Sequence, residues 1–126
     1  MKKINLTYII DDDKIFTFVL KKIIEKNENF MQVIDFKNGE DVIDILTNQT
    51  NKPDIILLDL NMPVIDGWQF LEKIENLPDK KEYNIFIMSS SIDIMDIEKS
   101  KKYSTVKDFI SKPINEAKLN KIFESI

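Results

Sequence analysis

Apolar residues come in two alternating rhythms along this chain. Short runs rich in β-branched and aromatic side chains, Ile4 to Ile10, Met31 to Phe36, Asp54 to Asp59, Ile85 to Ser89 and Val106 to Ser111, have the length and make-up of strands. The third and fourth are apolar almost throughout, as burial on both faces of a sheet requires. Between the runs the spacing lengthens to three and four residues. Ile15, Phe18, Val19 and Ile23 mark a first helix, Val42, Ile45 and Leu46 a second, and Phe70, Leu71 and Ile74 a third. A weaker fourth spans about Asp93 to Tyr103, with Ile94, Met95 and Ile97 on one side and lysines beyond; Leu119, Ile122, Phe123 and Ile126 repeat the spacing at the end. Turn signals at Asn38-Gly39, Lys52-Pro53-Asp54 and Leu77-Pro78-Asp79 separate these elements. Five βα units in strict alternation predict a doubly wound α/β sandwich.

Composition narrows what such a fold can do. The 126 residues fit one domain, residues 1–126, with no repeat or linker and no space for an output module. Hydrophobic residues make up 43% and charged residues 32%, and no apolar run reaches the roughly 20 residues of a membrane span. The start, Met1-Lys2-Lys3, leads into one short run that breaks at three aspartates, unlike a signal peptide, so the expected location is the cytoplasm. Cysteine and histidine are both absent, which excludes disulfides, thiolate or imidazole catalysis and the usual zinc ligands. All 18 basic residues are lysine and the net charge is -4, which opposes nucleic-acid binding. Any chemistry must run on carboxylates, hydroxyls and lysine.

Those groups stand where the apolar runs stop. Asp11 and Asp12 follow Tyr8-Ile9-Ile10, Asp59 follows Ile55-Ile56-Leu57-Leu58, Ser89 follows Ile85-Phe86-Ile87-Met88, and Lys112 follows Phe109-Ile110-Ser111. In an open parallel sheet the carboxyl ends of the strands meet along one edge, where ligands bind. Distant residues are thereby expected to converge into one acidic pocket.

Nearly the whole chain resembles the receiver domain of two-component response regulators. The resemblance rests on Ile9-Ile10-Asp11-Asp12, on the specific segment Leu57-Leu58-Asp59-Leu60-Asn61-Met62-Pro63-Val64-Ile65-Asp66-Gly67, on Met88-Ser89-Ser90 and on Lys112-Pro113. It implies a flavodoxin-like three-layer sandwich around a five-stranded parallel sheet of order 2-1-3-4-5, with Asp59 as phosphoacceptor. The physics of the residues agrees. Asp11 and Asp12 beside Asp59 crowd like charge into a small volume unless a cation relieves it, and Mg²⁺ suits an all-oxygen site that also meets phosphate. By the resemblance, Asp11, Asp12, Asp59 and the backbone carbonyl of Asn61 hold the metal. Lys112 supplies fixed positive charge and the Ser89 hydroxyl a hydrogen bond to the phosphoryl oxygens. A cis Lys112-Pro113 bond is common in the family. Ser89 and Phe109 occupy the switch positions, and the surface around Ile94, Ile97, Lys101, Phe109 and the fifth helix would dock partners.

Taken singly, these residues have ordinary readings. Asp12 or Asp13 suits the N-cap of the first helix, Ser89 or Ser91 that of the fourth, Asp59 a turn before Pro63, Lys112 a solvated face and Phe109 the core. Trp68 reads as an exposed or half-buried helix residue, and Asp66-Gly67 as a shaper of the loop into the third helix. The stretch Lys101-Lys102-Tyr103-Ser104-Thr105 departs from the family in lacking its Ala-Gly pair, which leaves the length of the fourth helix open. A haloacid dehalogenase-like phosphatase would use Asp11 in Asp11-Asp12-Asp13 as nucleophile and leave the Asp59 segment unexplained. A receiver-like interaction module that is never phosphorylated is the other alternative. The expectation is a stand-alone receiver, a phosphorylation-dependent switch and not a conventional enzyme. Its donor would be a histidine kinase or histidine phosphotransfer protein, its target an unknown protein, with no nucleic acid or membrane, as a monomer or weak dimer.

Overall fold

A computed structural model describes residues 3–48, 52–62 and 65–126; Met1-Lys2 and the Pro63-Val64 part of the central segment lie outside the described residues. In chain order the elements are β1 (Ile4–Ile10), α1 (Lys14–Lys26), β2 (Phe30–Phe36), α2 (Gly39–Asn48), β3 (Ile55–Asp59), α3 (Gly67–Glu75), β4 (Ile85–Ser89), α4 (Ile94–Ser100), β5 (Val106–Ser111) and α5 (Glu116–Glu124). A single 3₁₀ turn, Lys80–Glu82, precedes β4. The strands form one parallel sheet in the order β2-β1-β3-β4-β5, the flavodoxin-like order expected.

Register brings the strand ends level. Ile10 lies between Phe36 and Leu58, Asp59 beside Met88, and Ser89 beside Ser111. Backbone bonds continue the ladder one residue past the strands, from Asp11 N to Phe36 O at 3.0 Å and from Lys112 N to Ser89 O at 2.8 Å. Asp11 and Lys112 are thus held by backbone before their side chains do anything.

Alternate residues of each central strand face opposite layers. Tyr8, Ile10, Ile56, Leu58, Ile85 and Ile87 meet Val42 and Leu46 of α2 and Phe70, Leu71 and Ile74 of α3. Ile9, Ile55, Leu57, Phe86 and Met88 meet Leu20 and Ile24 of α1 and Leu119 and Ile122 of α5. Each such side chain, once buried, contributes on the order of 2 kcal/mol. The near-continuous apolar runs of β3 and β4 reflect this two-sided cover.

Two expectations need correction. In α1 the stripe Ile15, Phe18 and Val19 points outward at 79%, 62% and 51% exposure, with Ile23 half-buried; Thr17, Leu20 and Ile24 are the buried residues. The helix carries two apolar stripes, and the one containing Leu20 and Ile24, in line with Phe16, meets the sheet. Leu20 and Ile24 pack there against Ile9, Leu57 and Leu119, while the Asp13 carboxylate, accepting from Ile15 N and Phe16 N, sets where the helix begins. The second correction is α4, which ends at Ser100 instead of about Tyr103. Its cap is Asp93, not Ser89 or Ser91, and Ile94 and Met95 are 75% and 78% exposed. After Ser100 the chain turns so that Tyr103 packs on Trp68, ring centroids 6.1 Å apart, and Val106 starts β5. Trp68 is half-buried, under the ammonium of Lys99 at 4.5 Å.

Candidate functional site

β1 and β3 lie side by side at the centre of the sheet, so their ends deliver carboxylates to neighbouring positions. Ligand oxygens of Asp11, Asp12 and Asp59 all lie within 4.8 Å of one another. Asp11 and Asp59 are buried, at 3% and 8% exposure, whereas Asp12 is on the rim. One oxygen of Asp11 accepts from Asp13 N at 2.9 Å, bracing the turn, and the other accepts from Lys112 Nζ at 2.8 Å. Lys112 Nζ stands 3.7 Å from Asp59 Oδ1.

Charge in this pocket does not balance. Two of the three carboxylates are buried with one ammonium between them. Burial, the largest cause, pushes the Asp59 carboxyl above its ordinary range, and the charges of Asp11 and Asp12 add to the rise; Lys112 and a hydrogen bond from the Asn61 backbone N–H oppose it. A cluster of this kind, oxygen donors with surplus negative charge, fits a hard divalent cation.

The loop after Asp59 is held close. Gly67 N donates to Leu60 O at 2.8 Å, and a Cβ on Gly67 would stand 2.7 Å from Leu60 Cα, so only glycine permits this approach. Asp66 then caps α3 in a reciprocal box with Gln69, its carboxylate accepting from Gln69 N at 2.9 Å and its N–H donating to Gln69 Oε1 at 2.8 Å.

Of the residues expected to meet, Asp11, Asp12, Asp59 and Lys112 are brought together. Ser89 is at the same edge, but its hydroxyl donates to Ser91 O at 2.7 Å and accepts from Ser91 N at 3.1 Å. Phe109 is half-buried and packs on the α2–α3 side of the core. Asn61 is exposed and touches the site through its N–H to Asp59. The Lys112-Pro113 bond is cis. Phe16, which nothing in the sequence reading singled out, places its ring 4.3 Å from Lys112 Nζ. Its one signal was its spacing, four and eight residues before Leu20 and Ile24.

A family model for the response regulator receiver domain matches residues 7–124. The chain belongs to this family. Among relatives of the receiver, a protein-glutamate methylesterase/protein-glutamine glutaminase of Clostridium acetobutylicum is 30% identical over 132 residues, taking in 100% of this chain and 35% of the relative. The transcriptional regulatory protein YvrH of Bacillus subtilis is 28% identical over 112 residues, 88% of this chain and 44% of its own. The chain therefore spans less than half the length of these relatives. A two-component response regulator from Cytophaga hutchinsonii superposes with a TM-score of 0.89 at 27% identity, covering 98% of this chain and 97% of that one. A response regulator receiver protein from Dyadobacter fermentans gives 0.85 at 30% identity, covering 96% of each. Membership gives the receiver a phosphorylation-dependent role in two-component signalling.

Proposed function

We propose that Asp59 accepts a phosphoryl group from the histidine of a kinase or phosphotransfer protein, and that the phosphorylated receiver signals by binding a downstream protein. The observation that carries this reading is the convergence of Asp11, Asp12 and Asp59 around Lys112. Mg²⁺ on Asp11, Asp12, Asp59 and the Asn61 carbonyl would neutralise negative charge on the transferred oxygens. A carboxylate oxygen of Asp59 forms the new O–P bond as the bond to the donor nitrogen breaks, leaving a mixed anhydride. Lys112, already 3.7 Å from Asp59 Oδ1, pairs with one phosphoryl oxygen. The Ser89 hydroxyl reaches another only by giving up its bonds to Ser91, which links occupancy of the site to the loop entering α4.

Asp11 is the poorer nucleophile. Its side chain has no exposed surface and both oxygens are engaged, whereas the Asp59 side chain keeps 11% exposure. This favours the receiver reading over a phosphatase acting through Asp11. The same reading makes the chain a switch and not a conventional enzyme, working in the cytoplasm as a monomer or weak dimer. Its output surface is α4, β5 and α5, where Ile94, Ile97, Lys101 and Phe109 lie; among the described residues no helix is long and apolar enough to cross a membrane.

Intact-mass spectrometry after incubation with Mg²⁺ and acetyl phosphate tests the proposal. One phosphoryl adduct is expected on the wild type, none without Mg²⁺ and none on Asp59→Asn. Lys112→Ala should still bind Mg²⁺ yet fail to switch, read as loss of the adduct-dependent change in amide spectra around α4 and β5. An adduct that survives in Asp59→Asn sinks the assignment, and a wild type that gains none and ignores beryllofluoride favours the unphosphorylated interaction module.

A further inference from the structure

The aspartates that end β1 orient more than the acidic pocket. Asp13 holds Ile15 N and Phe16 N at 3.1 and 3.0 Å, so the turn that presents Asp11 and Asp12 also sets the rotation of the first turn of α1. That rotation lays the half-buried Phe16 beside the pocket, with Lys112 Nζ 4.3 Å from its ring centroid. Among the described residues the ammonium meets Asp11 Oδ2 at 2.8 Å, Asp59 Oδ1 at 3.7 Å, and the ring face.

We propose that Phe16 is a positioning residue for Lys112, its ring a cation–π shelf that keeps the ammonium beside Asp59 once a cation has claimed the charge of Asp11. This rests on the receiver reading above. A carboxylate holds an ammonium by cancelling its charge, and its grip weakens when a metal ion binds the same carboxylate. The face of a phenyl ring attracts the ammonium through its quadrupole, carries no net charge, and is the same whether or not the carboxylates are occupied. Lys112 therefore stays near Asp59 with its full charge available to a phosphoryl oxygen. Lysine is a flexible chain with several rotatable bonds, so restraining it before transfer removes an entropic cost from the reaction. The ring also helps cover Lys112, whose side chain is 17% exposed, and a drier ammonium acts more strongly on a developing charge.

The test is the rate of phosphoryl incorporation from acetyl phosphate in Mg²⁺, followed by intact mass on the full chain. Phe16 is replaced site-specifically by mono-, di- and trifluorophenylalanine, and separately by tyrosine and leucine. Fluorine withdraws electron density from the ring face at nearly constant shape, so packing is kept while the attraction weakens. The rate is expected to fall stepwise along the fluorine series, to be retained in Phe16→Tyr, and to drop roughly tenfold in Phe16→Leu. Upfield ring-current shifts of the Lys112 ε-methylene protons should vanish in Phe16→Leu. Should Phe16→Leu fold poorly, the fluorine series decides alone. A flat series overturns the shelf and leaves the receiver reading standing, provided the wild type gains its adduct and Asp59→Asn does not. A wild type without an adduct overturns both.

Discussion

At the scale of single residues, the site residues were legible because strand ends are legible. An apolar run that stops at a charged residue marks where a strand leaves the core, and a parallel sheet gathers those points along one edge. Asp11, Asp59 and Lys112 needed nothing more. The direction of the Ser89 hydroxyl did not follow, because a short side chain at a loop start can bond either to the pocket or to its own backbone, and here Ser91 takes it. Phe16 gave no signal beyond its spacing for a related reason: the proposed role lies in one face of a ring whose packing is otherwise ordinary. The charge imbalance yields a prediction. Asp59 holds its proton more tightly in the folded state than when unfolded, so the ionised group works against folding above its raised pKa and ceases to do so below the ordinary carboxylate range. In metal-free buffer at neutral pH, Asp59→Asn should melt above the wild type. The gap should close as pH falls through the raised pKa, and added Mg²⁺ should narrow it at neutral pH by stabilising the wild type. Thermal melts from neutral pH down to below the ordinary carboxylate value of 3.8, with and without Mg²⁺, check this; a variant less stable than the wild type in chelator would show that burial does not dominate at Asp59.

At the scale of elements, the five strands and five helices follow from periodicity, but the rotation of a helix need not. The first helix offers two apolar stripes, and counting hydrophobic residues favours Ile15, Phe18 and Val19 over Leu20 and Ile24. The face that meets the sheet is the one carrying Thr17, Leu20 and Ile24, and Asp13, which accepts from Ile15 N and Phe16 N, fixes where the helix starts. The fourth helix is shorter than its pattern: its apolar side, Ile94 and Met95, is mostly exposed, and Tyr103, past its end, packs on Trp68. These orientations can be measured. Phe18→Ser, at 62% exposure, should change stability by no more than about 0.5 kcal/mol. Leu20→Ala, at 1% exposure, should cost about 3 kcal/mol. Urea denaturation of the two variants distinguishes them, and the reverse ranking would mean that the helix is turned the other way.

At the scale of the whole molecule, Glu75 ties the end of α3 to the start of β5. It ends α3, the helix that follows β3. One of its oxygens accepts from Thr105 N at 3.1 Å, Thr105 Oγ1 at 3.2 Å and Ser104 Oγ at 3.1 Å, just before β5, and the other from Lys80 Nζ at 3.1 Å. Burial by itself would raise the pKa of Glu75; the bonds from Thr105, Lys80 and Ser104 together outweigh it and hold the carboxyl below its usual value of 4.5. A depressed carboxylate stabilises the fold at pH values above the unfolded pKa, and that contribution disappears as pH falls through the lower folded pKa. Glu75→Gln keeps the shape but gives up the charge and one acceptor oxygen. It should therefore destabilise the receiver by about 1 kcal/mol at neutral pH, with the difference from wild type shrinking as the solution is acidified below 4.5. Because Glu75 joins α3 to the start of β5 without touching Asp59, Mg²⁺-dependent labelling should be preserved in Glu75→Gln, while amide exchange at Ser104, Thr105 and Val106 should quicken. Unchanged exchange there would show that the start of β5 is held by its ladder with β4 alone, and that Glu75 stabilises only the end of its own helix.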